Sequence, residues 1–130
     1  MKNNPFHYSI ASRIRYSFLI KYLYPNSYDK ILEVGCGVGY FCELLNKYGA
    51  KVWGLDISSE SIDYCKKNID GEFYIGDAES LSFEDNYFEK VLCTEVLEHL
   101  ENDRKALKEM YRVLKPNGCL VMTIPTQDGI

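Results

Sequence analysis

A run of alternating glycines and a few well-placed carboxylates are the groups in this sequence that suit chemistry on a ligand. Gly35, Gly37 and Gly39 alternate with Cys36 and Val38, directly after the apolar run Ile31 to Val34. A chain can pass from strand to helix so abruptly only if some residues take φ > 0, and without a Cβ a ligand can reach the backbone. Glu33 lies two residues before the first glycine, where a carboxylate is awkward beside a pyrophosphate but suits an ammonium or sulfonium. Asp56 follows about twenty residues later, at the end of a second apolar run, where it could accept hydrogen bonds from both hydroxyls of a ribose. The blander reading of Asp56 is a helix cap. Asp77 and Glu79 follow a third apolar run, and Asp77 there equally suits an Asx turn.

The glycine spacing narrows the ligand. Dinucleotide sites use G-x-G-x-x-G, and here the pattern is G-x-G-x-G, so the NAD fingerprint fails at its last position. Further along, Glu95, Glu98 and His99 fall at i, i+3 and i+4, on one face of a helix. The inverted zinc motif H-x-x-E-H requires a histidine where Glu95 stands, so no metal is expected. Glu95 and His99 remain the candidates for a catalytic carboxylate or base, with a structural role the commoner fate of such a histidine.

Strands alternating with helices position these groups. The pattern predicts strands at Lys30 to Val34, Lys51 to Leu55, Glu72 to Ile75, Phe88 to Cys93 and Cys119 to Ile124. It predicts helices from about Tyr40 to Tyr48, from a Ser58 or Ser59 cap to about Asn68, and from Glu95 to Leu100. A further helix presents Leu107, Met110, Tyr111 and Leu114 to the core, and Pro116-Asn117-Gly118 turns into the last strand. Ahead of all this, Ile10, Ile14, Phe18 and Tyr22 recur every fourth place, predicting an amphipathic helix from His7 to Tyr24. Tyr8 and Tyr16 on that helix could line a pocket. Such alternation implies an α/β fold, a doubly wound parallel sheet with helices on both faces and right-handed crossovers. A ligand then sits outside the carboxyl ends of the strands, at the switch point between strands 1 and 4.

At 130 residues the chain is expected to form one domain, a helical segment over 1–28 and a ligand-binding core over 29–130. Hydrophobic content of 46% and charged content of 26% suit a soluble globular protein. No apolar run is long enough to span a membrane. The five cysteines form no C-x-x-C pair and lie mostly in apolar stretches, which suggests reduced thiols and a cytoplasmic protein. The net charge of −4 divides into +4 over residues 1–28 and −8 over the rest. An acidic core argues against a nucleic-acid surface. The basic head could meet an anion, although a solvated helix face is the simpler reading.

In combination, these stretches resemble the class I S-adenosylmethionine-dependent methyltransferases. Glu33-x-Gly35-x-Gly37-x-Gly39 is similar to their motif I. Lys90 to Leu100 resembles the small-molecule branch that includes ubiquinone and menaquinone biosynthesis enzymes, and Leu107 to Gly118 matches the stretch before the fifth strand. The resemblance covers about residues 29 to 125. It implies a Rossmann-like sheet of order 3-2-1-4-5, S-adenosylmethionine as cofactor, and methyl transfer to a small molecule. Cofactor contacts would fall to Glu33, Gly35, Cys36, Gly37, Gly39, Asp56, Ile57, Asp77, Ala78, Glu79, Cys93 and Thr94. Asp56 would meet the ribose, Asp77 and Ala78 the adenine, and the backbone around Cys93 and Thr94 the methionine part. Glu95 would lie at the mouth of the acceptor site. The family continues with another helix and strands 6 and 7, which this sequence lacks, so its acceptor half is expected to be incomplete. The alternative reading is therefore a cofactor-binding module that needs a partner or a missing C-terminal region. Strand 5 would be left as an open edge, through which a homodimer or partner contact is expected.

Overall fold

The computed structural model describes residues 10–94 and 96–124. Its elements run α1 (Ile10–Leu23), β1 (Lys30–Val34), α2 (Tyr40–Asn46), β2 (Lys51–Asp56), α3 (Ser59–Asn68), β3 (Glu72–Ile75), β4 (Phe88–Thr94), α4 (Asp103–Val113) and β5 (Leu114–Thr123), with one 3₁₀ turn at Leu97–His99. The strands form one sheet of order β3-β2-β1-β4-β5, and every pairing is parallel. This is the expected Rossmann-like arrangement, and no strand 6 or 7 lies among the described residues.

The strand period of two divides the core. Ile31 of β1 packs on one face with Phe41 and Leu45 of α2, Ile62 and Cys65 of α3, and Leu19 and Leu23 of α1. Leu32 and Val34 point the other way, into a cluster with Val91, Trp53 and Ala106, Met110 and Val113 of α4. β1 is central, and its apolar side chains are almost wholly buried. Each such Val, Leu or Ile contributes about 1.5–3 kcal/mol by leaving water. Parallel strands covered on both faces read as continuous apolar runs for this reason.

Local chemistry fixes the helix starts. The Ser58 hydroxyl accepts from the Ser61 N–H at 3.2 Å and opens α3, and the Asn102 side chain accepts from Lys105 N–H at 3.1 Å and opens α4. Between β3 and β4 the chain forms no helix. It is pinned instead by Arg112 of α4, whose guanidinium donates to the carbonyls of Leu81 at 2.8 Å and Phe83 at 2.7 Å. Glu109 at 2.7 Å and Asp85 at 2.8 Å hold the same guanidinium.

Four expectations need correction. Among the α1 side chains described, from Tyr16 onward, Leu19 and Leu23 are buried, while Phe18 and Tyr22 are 57% and 70% exposed. That helix is apolar on nearly every side, so a period of four fitted the wrong stripe. On α4, Tyr111 is exposed, and Ala106, Met110 and Val113 form the buried face. Of the predicted helix at 95–100, the described residues form only a 3₁₀ turn over Leu97–His99, which ends where the Leu100 backbone becomes extended. Finally, β5 starts at Leu114, directly after α4. Its register against β4 jumps from Phe88↔Leu114 to Lys90↔Cys119, so Pro116-Asn117-Gly118 bulges within the strand rather than preceding it.

Candidate functional site

A cavity of about 530 Å³ opens at the carboxyl ends of the central strands. Of the residues singled out from the sequence, Glu33, Gly35, Cys36, Gly37, Asp56, Ile57, Asp77, Ala78, Thr94 and His99 line it. The strands β1, β2 and β4 and the loop after β3 each deliver one group or more to the same space. Glu95 and Tyr8 lie outside the described residues.

The glycine loop forms the floor. At Gly37, with φ +54°, a Cβ would meet no atom within 4 Å, so that backbone faces open space. Its N–H donates to Asp56 Oδ2 at 2.8 Å, and the other oxygen, Oδ1, accepts from Ser58 N–H at 2.9 Å. Asp56 thereby ties the loop after β1 to the end of β2, and the cap of α3 falls to Ser58. A carboxylate oxygen carries two lone pairs, so each oxygen of Asp56 can accept a second bond from a ligand. Asp77 shows a similar division: its Oδ1 accepts from Glu79 N–H at 2.8 Å, the Asx turn foreseen as one reading, and the residue still faces the cavity.

Three of the expected residues do not line it. A Cβ at Gly39 would strike Ile69 Cδ1 at 2.3 Å and Cys65 Sγ at 2.9 Å, so that glycine lets α3 pack closely against the loop. The Glu79 side chain is not among the lining groups. The Cys93 side chain is buried in the opposite core, with Val91 and Met110.

Glu33 is 3% exposed, and Cys42 Sγ donates to its Oε1 at 3.4 Å. Burial pushes this carboxyl up to about 8, because a charge there is stripped of water. Burial likewise pushes the Cys42 thiol up. The acids at the opposite end of the sheet are treated differently. Asp29 pairs with Lys90 at 2.5 Å and Glu89 with Lys115 at 2.6 Å. None of the ion pairs among the described residues reaches Glu33, Asp56 or Asp77. The cavity end therefore presents carboxylates with no cation of their own.

Aromatic residues close one side. Tyr16 of α1 stands 5.0 Å from Tyr40 and 5.3 Å from Phe41, ring centre to ring centre, and all three line the cavity with His99 and Leu100. Tyr40, Val96 and Leu100 were not singled out from the sequence. Their only signal there is position, immediately after the last glycine or just beyond β4. Among the described residues no group of three or more His, Cys, Asp or Glu is gathered as a metal site.

Residues 32–122 match the model of a methyltransferase domain. The chain is 34% identical over 95 residues to a ubiquinone biosynthesis O-methyltransferase of Coxiella burnetii, covering 69% of this chain and 41% of that protein. It is 32% identical over 105 residues to a phosphoethanolamine N-methyltransferase of Plasmodium falciparum, covering 75% of this chain and 40% of that one. It thus spans about two fifths of the length of these curated relatives. Among solved structures, the PH0226 protein of Pyrococcus horikoshii superposes with a TM-score of 0.75 at 38% identity, covering 88% of this chain and 58% of that one.

Proposed function

The chain belongs to the methyltransferase-domain family, with S-adenosylmethionine as its cofactor, and on that premise we propose that it transfers a methyl group to a small-molecule acceptor. The observation that carries this reading is the convergence of Glu33, Gly37, Asp56 and Asp77 on one cavity, above a backbone that a Cβ at Gly37 would obstruct. The residues present fit the cofactor. Asp56 keeps lone pairs for two ribose hydroxyls, Asp77 and the Ala78 N–H suit an adenine edge, and Ile57 offers an apolar surface beside them. Gly35, Cys36 and Gly37 would supply close backbone, and Thr94, at the end of β4, would face the methionine part. Glu33, buried and without a cation, answers an ammonium.

When bound, the cofactor would supply a methyl group on a sulfonium, with a neutral thioether as the leaving group. The chain's own residues then have little bond-breaking to assist. They hold donor and acceptor in line and exclude water, and orientation of this kind supplies much of such a rate enhancement. Tyr16, Tyr40 and His99 stand on the acceptor side. His99 is the candidate base if the acceptor must lose a proton, and the resemblance would put Glu95 at the mouth of the acceptor site. Relatives that methylate oxygen and nitrogen are both represented, so the acceptor atom is set by what this side of the cavity admits. All five cysteines carry thiols, four of them buried, which supports a reducing, cytoplasmic setting. No described helix is long and apolar enough to cross a membrane.

Transfer of a labelled methyl group from S-adenosylmethionine to a panel of phenols, quinols and amines tests the proposal. Activity on at least one class is expected, with loss in Gly37→Val together with at least a hundredfold weaker S-adenosylhomocysteine binding in a still-folded protein. Undiminished binding in that variant would remove the loop from the site.

A further inference from the structure

A second cavity, of about 370 Å³, lies on the β2–β3 side of the sheet and borders the first at Leu55 and Gly76. Its walls are aromatic and acidic. Trp53, Tyr74, Phe83 and Tyr87 line it together with Glu72 and Glu84. The rings meet edge to face: Tyr74 and Phe83 are 5.8 Å apart at 76°, and Trp53 and Tyr87 are 5.7 Å apart at 90°. The cavity wall thus carries four packed aromatic rings beside two carboxylates, and an aromatic face attracts a cation too large and weakly hydrated to need its water shell.

From this geometry we propose that the cavity binds an organic cation, a quaternary or alkylated ammonium group, with the rings as its cage and Glu72 and Glu84 as its counter-charges. The site is held in shape before any ligand arrives. Arg112 fixes the loop that carries Phe83 and Glu84 through the carbonyls of Leu81 and Phe83, and the Tyr74 hydroxyl donates to Glu72 Oε2 at 3.3 Å. The positive charge of Arg112 is answered by Glu109 and Asp85 and does not oppose a cation nearby. Lys30 Nζ already sits 4.1 Å from the centre of the Tyr87 ring, so the cage rests chiefly on Trp53, Tyr74 and Phe83. A simple metal cation would be served poorly, because aromatic rings cannot replace its water shell. An anion would meet two carboxylates.

Trp53 is the sole tryptophan of the sequence, so its fluorescence reports on this cavity directly. Choline titrated at constant ionic strength is expected to change that fluorescence saturably. Its neutral carbon isostere, 3,3-dimethyl-1-butanol, should bind at least tenfold more weakly. Tyr74→Ala and Glu72→Gln, both on the exposed rim, should each weaken choline at least fivefold while leaving the circular dichroism spectrum unchanged. Saturating S-adenosylhomocysteine should leave the choline curve in place, since the two cavities share only Leu55 and Gly76 and none of the rings or carboxylates proposed to hold the cation. Equal binding of choline and its isostere, displacement by S-adenosylhomocysteine, or no saturable change in a folded protein would overturn the proposal.

Discussion

Glu33 shows how one residue can be a liability to the fold and an asset to the site. Its carboxyl titrates at about 8 in the folded chain against 4.5 for an ordinary glutamate. Between those values the folded state holds a proton that the unfolded chain has already released. The contribution of Glu33 to stability is therefore greatest below pH 4.5, declines as pH rises towards 8, and then stays level. Glu33→Gln should flatten that decline in denaturant titrations from pH 5 to 8. A ligand ammonium beside Glu33 would favour its charged form, so S-adenosylhomocysteine binding at pH 7 should release about one proton per ligand. Calorimetry in buffers of different ionisation enthalpy reads this directly, and heats independent of buffer would place the ammonium elsewhere. Asp56 tests the ribose assignment. Asp56→Ala should weaken binding by about 1.5–3 kcal/mol, the scale of a hydrogen bond to a charged group. Asp56→Asn, which can still accept from the Gly37 N–H, should lose less. An unchanged affinity in Asp56→Ala would leave Asp56 as a tie between the loop and β2 only.

At the scale of elements, β5 carries a consequence for association. It pairs with β4 along one edge, and among the described residues no strand lies along the other. An apolar strand with open N–H and C=O groups recruits another, so a chain of this sequence should self-associate through that edge. Because N–H groups alternate from side to side, one of Val121→Pro and Met122→Pro removes an outward donor and should lower the association seen in sedimentation. A wild-type monomer at high concentration, with slowly exchanging β5 amides, would show the edge to be covered. The elements differed in how plainly the sequence announced them. β1, β2 and the glycine loop were legible because each signal is local: an apolar run, a break, and an acid at the end. The face of α1 was not, because Phe18, Leu19, Tyr22 and Leu23 are all apolar and only packing on α2 and β1 chooses among them. The β5 bulge was half legible. Pro116-Asn117-Gly118 marked a break, but only the β4 register shows that pairing resumes across it. The Arg112 clamp has a short-range signal, its i, i+3 relation to Glu109, yet its carbonyl partners lie about thirty residues away and left no trace in the sequence. In the site, the floor was foreseen and the aromatic wall of Tyr16 and Tyr40 was seen only in part, since it is assembled by tertiary contact.

Across the whole molecule, the two ends of the sheet divide structural and chemical work. At the amino ends Asp29 and Glu89 are each neutralised by a lysine, an arrangement that holds the strands and asks nothing of a ligand. At the carboxyl ends Glu33, Asp56 and Asp77 converge without a cation, leaving acceptors for hydroxyls, an amino group and an ammonium. A pyrophosphate would be repelled by Asp56 and Asp77. The most direct test is therefore a calorimetric comparison of S-adenosylhomocysteine with NAD on the unmodified chain. Saturable binding of S-adenosylhomocysteine at one site per chain, with no heat from NAD beyond dilution, is the predicted result. Binding of NAD, or no binding of S-adenosylhomocysteine by the folded protein, would contradict it.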